Sequence, residues 1–231
     1  MAVLTELDHE FFRHYGFLVL DGLLTCDELR EYLDLFHEDR RKAPLRWALR
    51  GYQYCACDAL ITTPEFDRVI RHRLILSAVE ELMGGPVCFG ELCARHMDPA
   101  DRAFEQGWHR DKPHWREHPL RMDFIQLMLY LTDVGEDTHC FSISPESVDE
   151  PILDKPAQLE RDGAIDIHGP AGTVCLFNVA VLHTATVATS PMTPSSLPCS
   201  TTTPTPRSAP STGTSTTSHA CTCAASAWRS R

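Results

Sequence analysis

QGWHRDKPHW, residues 106–115, sets a His and an Asp two positions apart, His109 and Asp111. On a β-strand, residues two apart point to the same side, so such a pair can face one metal ion. On a helix they point about 200° apart and cannot. The chain has three pairs of this kind: His37/Asp39, His96/Asp98 and His109/Asp111. His37 and Asp39 belong to "TCDELREYLDLFHEDRR", which starts at Thr25 and carries apolar residues at 29, 32, 33 and 36. That spacing is helical, and the pair is read as a solvated helix end. Between the other two, a third ligand must decide.

A mononuclear non-haem iron site takes two His and one carboxylate on one face and leaves the opposite face open. The second His has to arrive from a distant strand. His183 stands 72 residues after Asp111 and ends the apolar run "GTVCLFNVAVLH", with Gly172 supplying the turn before it. A strand ending in His183, set against a strand carrying His109 and Asp111, closes a triad across a barrel.

The rest of the chain supplies such a barrel. "TELDHEFFRHYGFLVL", residues 5–20, opens with Thr5 as an N-cap and acids in the first turn, then turns at Gly16 into strand-like FLVL. "FDRVIRHRLILSAVEELMG" reads as one further amphipathic helix, stopped by Gly84-Gly85-Pro86. After it come short β-like runs: "VCFGELCARHM", "DFIQLMLYLTDV", "CFSISP", "AIDIHG" and "TVCLFNVAVLHTA". Helices followed by many short strands predict a mainly β barrel or double-sheet jelly roll with flanking helices.

Composition removes several classes of function. All 32 acidic residues precede Thr186, and the net charge of the chain is −11. A body this acidic repels phosphate backbones, which argues against nucleic acid as a partner. No apolar run approaches the ~18 residues of a membrane span, and the N-terminus lacks the basic start and apolar core of a signal peptide. The expectation is a cytoplasmic protein with reduced, structural cysteines. Cys26, Cys88, Cys93, Cys140 and Cys175 lie among apolar residues, and "CAC" at 55–57 is too tight for the usual zinc spacing.

Taken in order, "QGWHRDKPHW", "FIQLMLYLTDV", "HCFSISPES" and "HGPAGTVCLFNVAVLHTA" resemble the phytanoyl-CoA dioxygenase family, as does the opening "FFRHYGFLVLDGLLTCDELREYL". The resemblance covers roughly residues 8–187. It implies an oxygenase dependent on Fe(II) and 2-oxoglutarate, built on a double-stranded β-helix of cupin-like jelly-roll form. It places the iron ligands on His109, Asp111 and His183, and leaves His96/Asp98 structural. It implies that 2-oxoglutarate and O₂ complete the coordination, that succinate and CO₂ are released, and that a small organic substrate is hydroxylated. An Asp rather than a small residue at 111 favours hydroxylation over halogenation. Weaker expectations concern Gln126, which shares a face with Met128 and Tyr130 and can meet the 2-oxoglutarate carboxylate, and Trp108 and Trp115, which can wall a substrate pocket. Arg110 and Lys112 read as solvated charges. His114, His118, His139 and His168 read as non-ligands.

The sequence departs from the family after "HTATV". The resemblance implies an Arg about ten residues beyond the distal His, clamping the 2-oxoglutarate 5-carboxylate; here that position is Thr193, and the next Arg is Arg207 in a Pro/Ser/Thr tract. Arg121 and Lys112 are the alternative cations. The expected organisation is an oxygenase-like domain over 1–186 that lacks its final core strand, then a disordered or frame-shifted tail over 187–231. A truncated or inactive family member that retains only metal or ligand binding is the alternative, and a cupin-type isomerase or binding protein a third reading. Thr and Ser runs are what Tyr codons give when read out of frame. The gene's nucleotide sequence should therefore restore an Arg-containing, strand-like segment in one of the other two frames after Val187; failure in both makes the tail genuine.

Overall fold

The computed structural model describes residues 2–98, 107–111, 124–147 and 149–188, together with the backbone of residues 218–227. In chain order the elements are α1 (Glu6–Tyr15), β1 (Phe17–Leu20), α2 (Cys26–Lys42), β2 (Ala48–Arg50), β3 (Gln53–Ala56), α3 (Ala59–Thr62), α4 (Asp67–Ile70) and α5 (Arg73–Met83). They continue with β4 (Val87–Met97), β5 (Phe124–Tyr130), β6 (Cys140–Ile143), α6 (Lys155–Asp162), β7 (Ile165–Ile167), β8 (Val174–Asn178), β9 (His183–Thr186) and β10 (Ser218–Ala227).

Helix starts are chemically specified. Thr5 and Asp8 form a reciprocal capping box on α1, as do Thr25 and Glu28 on α2. The long helix expected across residues 66–84 is two helices. His72 leaves helical geometry, with ψ of 118°, and its ring accepts the Ile75 N–H as the N-cap of α5. A periodic apolar pattern does not register that one-residue break.

The strands make two antiparallel sheets. The larger runs β1-β8-β5-β10-β4-β3-β2 and the smaller β7-β6-β9. Alternation along β5 and β8 sends side chains to two different cores. Ile125, Leu127, Leu129, Val174 and Leu176 pack against the helices with Phe36 and Phe66. Met128, Tyr130, Cys175 and Phe177 pack with Phe141, Ile143 and Ile167 of the small sheet. β5 and β8 are thus buried on both faces, and the space between the two sheets is the jelly-roll interior.

Two expectations about strands change. The run 174–186 is two strands, because the chain turns at Asn178, whose Oδ1 accepts the Ala180 N–H at 3.0 Å while its carbonyl accepts the Val181 N–H at 2.9 Å. His183 therefore opens β9 of the small sheet instead of ending a strand of the large one. In the tail, the backbone of 218–227 is a strand where composition predicts none, and it fills the slot for which a final core strand was expected to be missing. It pairs Ala220 with Arg95 of β4 and with Tyr130 of β5. Any backbone offers the N–H and C=O groups that the edges of β4 and β5 require, so apolar periodicity is not needed to occupy that place. Among the described residues, no helix is long and apolar enough to cross a membrane.

Asp39 is not a solvated helix end. It is fully buried and accepts hydrogen bonds from Trp47 Nε1 at 3.0 Å, Thr63 Oγ1 at 2.7 Å and Thr62 Oγ1. This carboxylate joins α2 to the turns before β2 and after α3. Asp39→Ala leaves three donors without their acceptor and should cost about 3–5 kcal/mol, with Asp39→Asn milder. Urea denaturation measures this; a loss below about 1 kcal/mol means that water replaces the carboxylate.

Candidate metal centre

His109, Asp111 and His183 converge. Each offers a ligand atom lying within 4.8 Å of the other two. Asp111 Oδ1 is 3.4 Å from His109 Nε2, and Oδ2 is 3.6 Å from His183 Nε2. The backbone brings them together: His109 and His183 form an isolated antiparallel bridge with two N–H···O bonds of 2.9 Å, and the Asp111 N–H donates to the Val179 carbonyl at 3.1 Å. The segment carrying His109 and Asp111 is thus laid along the turn between β8 and β9.

Ring orientation is set by two backbone carbonyls. His109 Nδ1 lies 2.7 Å from the Gly107 oxygen and His183 Nδ1 lies 2.8 Å from the Val181 oxygen. A carbonyl only accepts, so each Nδ1 donates outward and each Nε2 is the nitrogen turned toward Asp111. Two imidazole nitrogens and one carboxylate, which bind a metal once their inner atoms are deprotonated, fit a divalent first-row metal such as iron(II). Exposure is uneven: the His183 side chain is 5% exposed and that of His109 51%. One side of the cluster is therefore open to a cosubstrate or substrate, and the other rests on Phe141 and Phe177, whose rings flank His183.

The electrostatics agree with this arrangement. Burial pushes the Asp111 carboxyl up, but hydrogen bonds from His109 and His183 outweigh it and hold the group well below the usual carboxylate range. The hydrogen bond to Asp111 raises His109 above its ordinary 6.5, against the effect of burial.

A second layer holds the two arms, and sequence reasoning missed it. Arg110, expected to be a solvated charge, makes a two-pronged ion pair with buried Glu146: Nη2 to Oε1 at 2.5 Å and Nε to Oε2 at 3.2 Å. The same carboxylate accepts the Leu182 N–H at 2.6 Å. Arg110 separates two candidate ligands in sequence and Leu182 precedes the third, so one side chain fixes all three. Nothing in the pattern around "SISPES" marks Glu146 in advance.

The remaining candidates divide. His96 and Asp98 stay apart from the triad, with His96 Nε2 bonded to Asp98 Oδ1 at 2.6 Å. His139 bonds the Asp98 carbonyl at 2.7 Å. His168 groups with Cys140 and Asp166, away from the triad. Gln126 is buried, and strand alternation sets it on the inner face with Met128 and Tyr130. Trp108 is half-buried next to His109. Trp115, Lys112, His114, His118, Arg121 and Thr193 lie outside the described residues. Arg95, not anticipated, lines a cavity between the sheets with Gln53, Met97, Met128, Tyr130 and Phe141, and it feels the charge of Asp111. Its only sequence signal was alternation along "ELCARHM".

The model of the phytanoyl-CoA dioxygenase (PhyH) family matches residues 12–193. Comparison with curated protein sequences returns no match. Among solved structures, similarity extends to the non-heme alpha ketoglutarate dependent carbocyclase SnoK from nogalamycin biosynthesis, with a TM-score of 0.72 and 16% identity over 98% of this chain and 86% of that one. EctD from S. alaskensis with bound Fe gives 0.71 and 16% over 98% and 78%. HygX from Streptomyces hygroscopicus, with nickel, 2-oxoglutarate and hygromycin B bound, gives 0.66 and 16% over 96% and 87%. At these identities the likeness establishes a shared fold.

Metal titration by calorimetry tests the centre. Because the hydrogen bond to Asp111 raises His109 above its ordinary 6.5 in the metal-free chain, affinity should rise with pH through that region, with proton release on its acid side. Glu146→Gln should weaken binding about 10–100-fold at every pH. Affinity independent of pH between 5.5 and 8 contradicts the assignment of His109.

Proposed function

Because the chain belongs to the phytanoyl-CoA dioxygenase family of iron- and 2-oxoglutarate-dependent oxygenases, we propose that it hydroxylates a small organic molecule at a centre formed by His109, Asp111 and His183. The observation that carries this reading is the two-nitrogen, one-carboxylate donor set with both Nδ1 atoms already engaged by backbone carbonyls. When bound, iron(II) with 2-oxoglutarate and O₂ supplies oxidative decarboxylation coupled to C–H oxidation. Asp111 occupies the ligand place that a halide would need, which favours hydroxylation.

The chain's own residues account for the rest. Among the described residues, Arg95 lines the cavity between the sheets, and we assign it to the distal carboxylate of 2-oxoglutarate, in place of the Arg expected after His183. A guanidinium suits that role because it meets a carboxylate through two parallel donors. Gln126, buried on the same inner face, donates to the cosubstrate. Trp108, at the open side beside His109, walls the substrate site. Glu146 and Arg110 keep the arms in register. Proteins of this fold have been crystallised with nogalamycin RO, 5-hydroxyectoine and hygromycin B, which supports a small molecule as the substrate.

Succinate release from 2-oxoglutarate under iron(II) and O₂, with and without candidate substrates, tests the proposal. Asp111→Ala and His183→Ala should abolish release. Arg95→Met should raise half-saturating 2-oxoglutarate at least about 30-fold, the equivalent of ~2 kcal/mol for a carboxylate that loses its partner. Iron binding without any succinate supports the reading as a metal-binding module that does not turn over. An unchanged half-saturation in Arg95→Met removes Arg95 from the site.

A further inference from the structure

Strands β3 and β4 pair antiparallel, with Tyr54 opposite His96, Cys55 opposite Arg95 and Ala56 opposite Ala94. Continued by one residue, that register sets Cys57 opposite Cys93, and their sulfur atoms lie 3.3 Å apart. Directly opposed residues of an antiparallel pair have Cα atoms about 4.5–5.5 Å apart, inside the roughly 4.4–6.8 Å that a disulfide spans. Closing the sulfurs to a bond of about 2.0 Å shortens a separation that is already 3.3 Å. Cys57 is exposed and Cys93 is buried, so one thiol is open to an oxidant and the other is held behind it.

A third thiol completes the group. Cys55 lies on the same face by alternation, with Arg95 Nη1 at 3.5 Å from its sulfur. The hydrogen bond from Cys93 lowers the Cys55 thiol to about 6, burial opposes it, and Arg95 reinforces it. The same bond raises the Cys93 thiol, with burial adding to the rise.

We propose that Cys57 and Cys93 are a peroxide-sensitive thiol pair that closes reversibly to a cross-strand disulfide. A hydroperoxide oxidises the Cys57 thiol to a sulfenic acid, its O–O bond breaks, and the corresponding alcohol or water leaves. The Cys93 sulfur attacks the Cys57 sulfur. The S–O bond breaks, and the departing hydroxide takes the Cys93 thiol proton and leaves as water. Two thiols are oxidised by two electrons and one peroxide is reduced. A dithiol reductant reverses the bond by thiol–disulfide exchange.

The test uses the full chain, reduced, transferred to a chelator-containing buffer, titrated with hydrogen peroxide, alkylated, and digested with trypsin without reduction. The expected product joins the peptide of residues 51–68 to that of residues 74–95, with fragment ions assigning the bond to Cys57 and Cys93, and dithiothreitol removes it. Cys57→Ser should abolish the cross-link. Cys93→Ser should leave a Cys57 sulfenic acid that dimedone traps. Cys55→Ser should leave the Cys57–Cys93 cross-link in place, and its loss in that variant overturns the pair. The pair itself is overturned if both thiols remain alkylatable at a peroxide level that oxidises exposed Cys26, or if the bond maps to Cys88 or Cys55.

Discussion

The Glu146 carboxylate is the constraint on which the candidate centre depends. It receives Arg110 from one arm and the Leu182 N–H from the other, while its own backbone N–H donates to the Tyr15 carbonyl at 3.0 Å. A buried ion pair adds little net stability, because removing both charges from water costs about as much as their attraction returns. Its consequence is geometric, since taking away either partner strands the other in the interior. The turn from α1 into β1 passes against the same point. A Cβ on Gly16 would lie 2.7 Å from the Glu146 carbonyl oxygen and 2.4 Å from Val181 Cγ2, and φ there is +76°. Only glycine lets the N-terminal helix close on the loop that holds the ligands.

Around that frame, the large sheet divides its labour by face. The odd-numbered residues of β5 and the even-numbered ones of β8 carry the helices, while their alternates line the interior beside the small sheet. The two layers of burial stiffen the sheet from which Gln126 and Arg95 project. Two neighbouring positions on β4 and β3 then serve different chemistry: Arg95 borders the interior cavity and also approaches Cys55. The thiol group and the interior cavity thus share a cation. β10 supplies backbone pairing between β4 and β5, and without it both strands would present open edges at the centre of the sheet.

Most elements were legible because their signals are local. Capping boxes at Thr5 and Thr25, glycines at 16 and 84, and alternation in "VCFGELCARHM" and "FIQLMLY" depend on neighbours a few residues away. The misreadings share a different cause. The break at His72, the turn at Asn178 and the burial of Asp39 depend on single side chains bonding to backbone or to groups distant in the chain. Apolar periodicity averages over such events. The same holds for Arg110, whose charge reads as solvated until Glu146, 36 positions away, comes to meet it.

The sequence by itself determined the residue types and order of the candidate centre: His109 and Asp111 two apart, His183 far downstream, and a mainly β body with helices at its start. Those facts follow from side-chain chemistry and from the period of two, which act within a strand. Tertiary structure decided which nitrogen of each His faces inward, which arm Glu146 holds, that Arg95 reaches the interior, and that Cys57 lies opposite Cys93. Each of these joins segments separated by tens of residues, and the register of antiparallel strands and the packing of two sheets exist only once the chain has closed on itself.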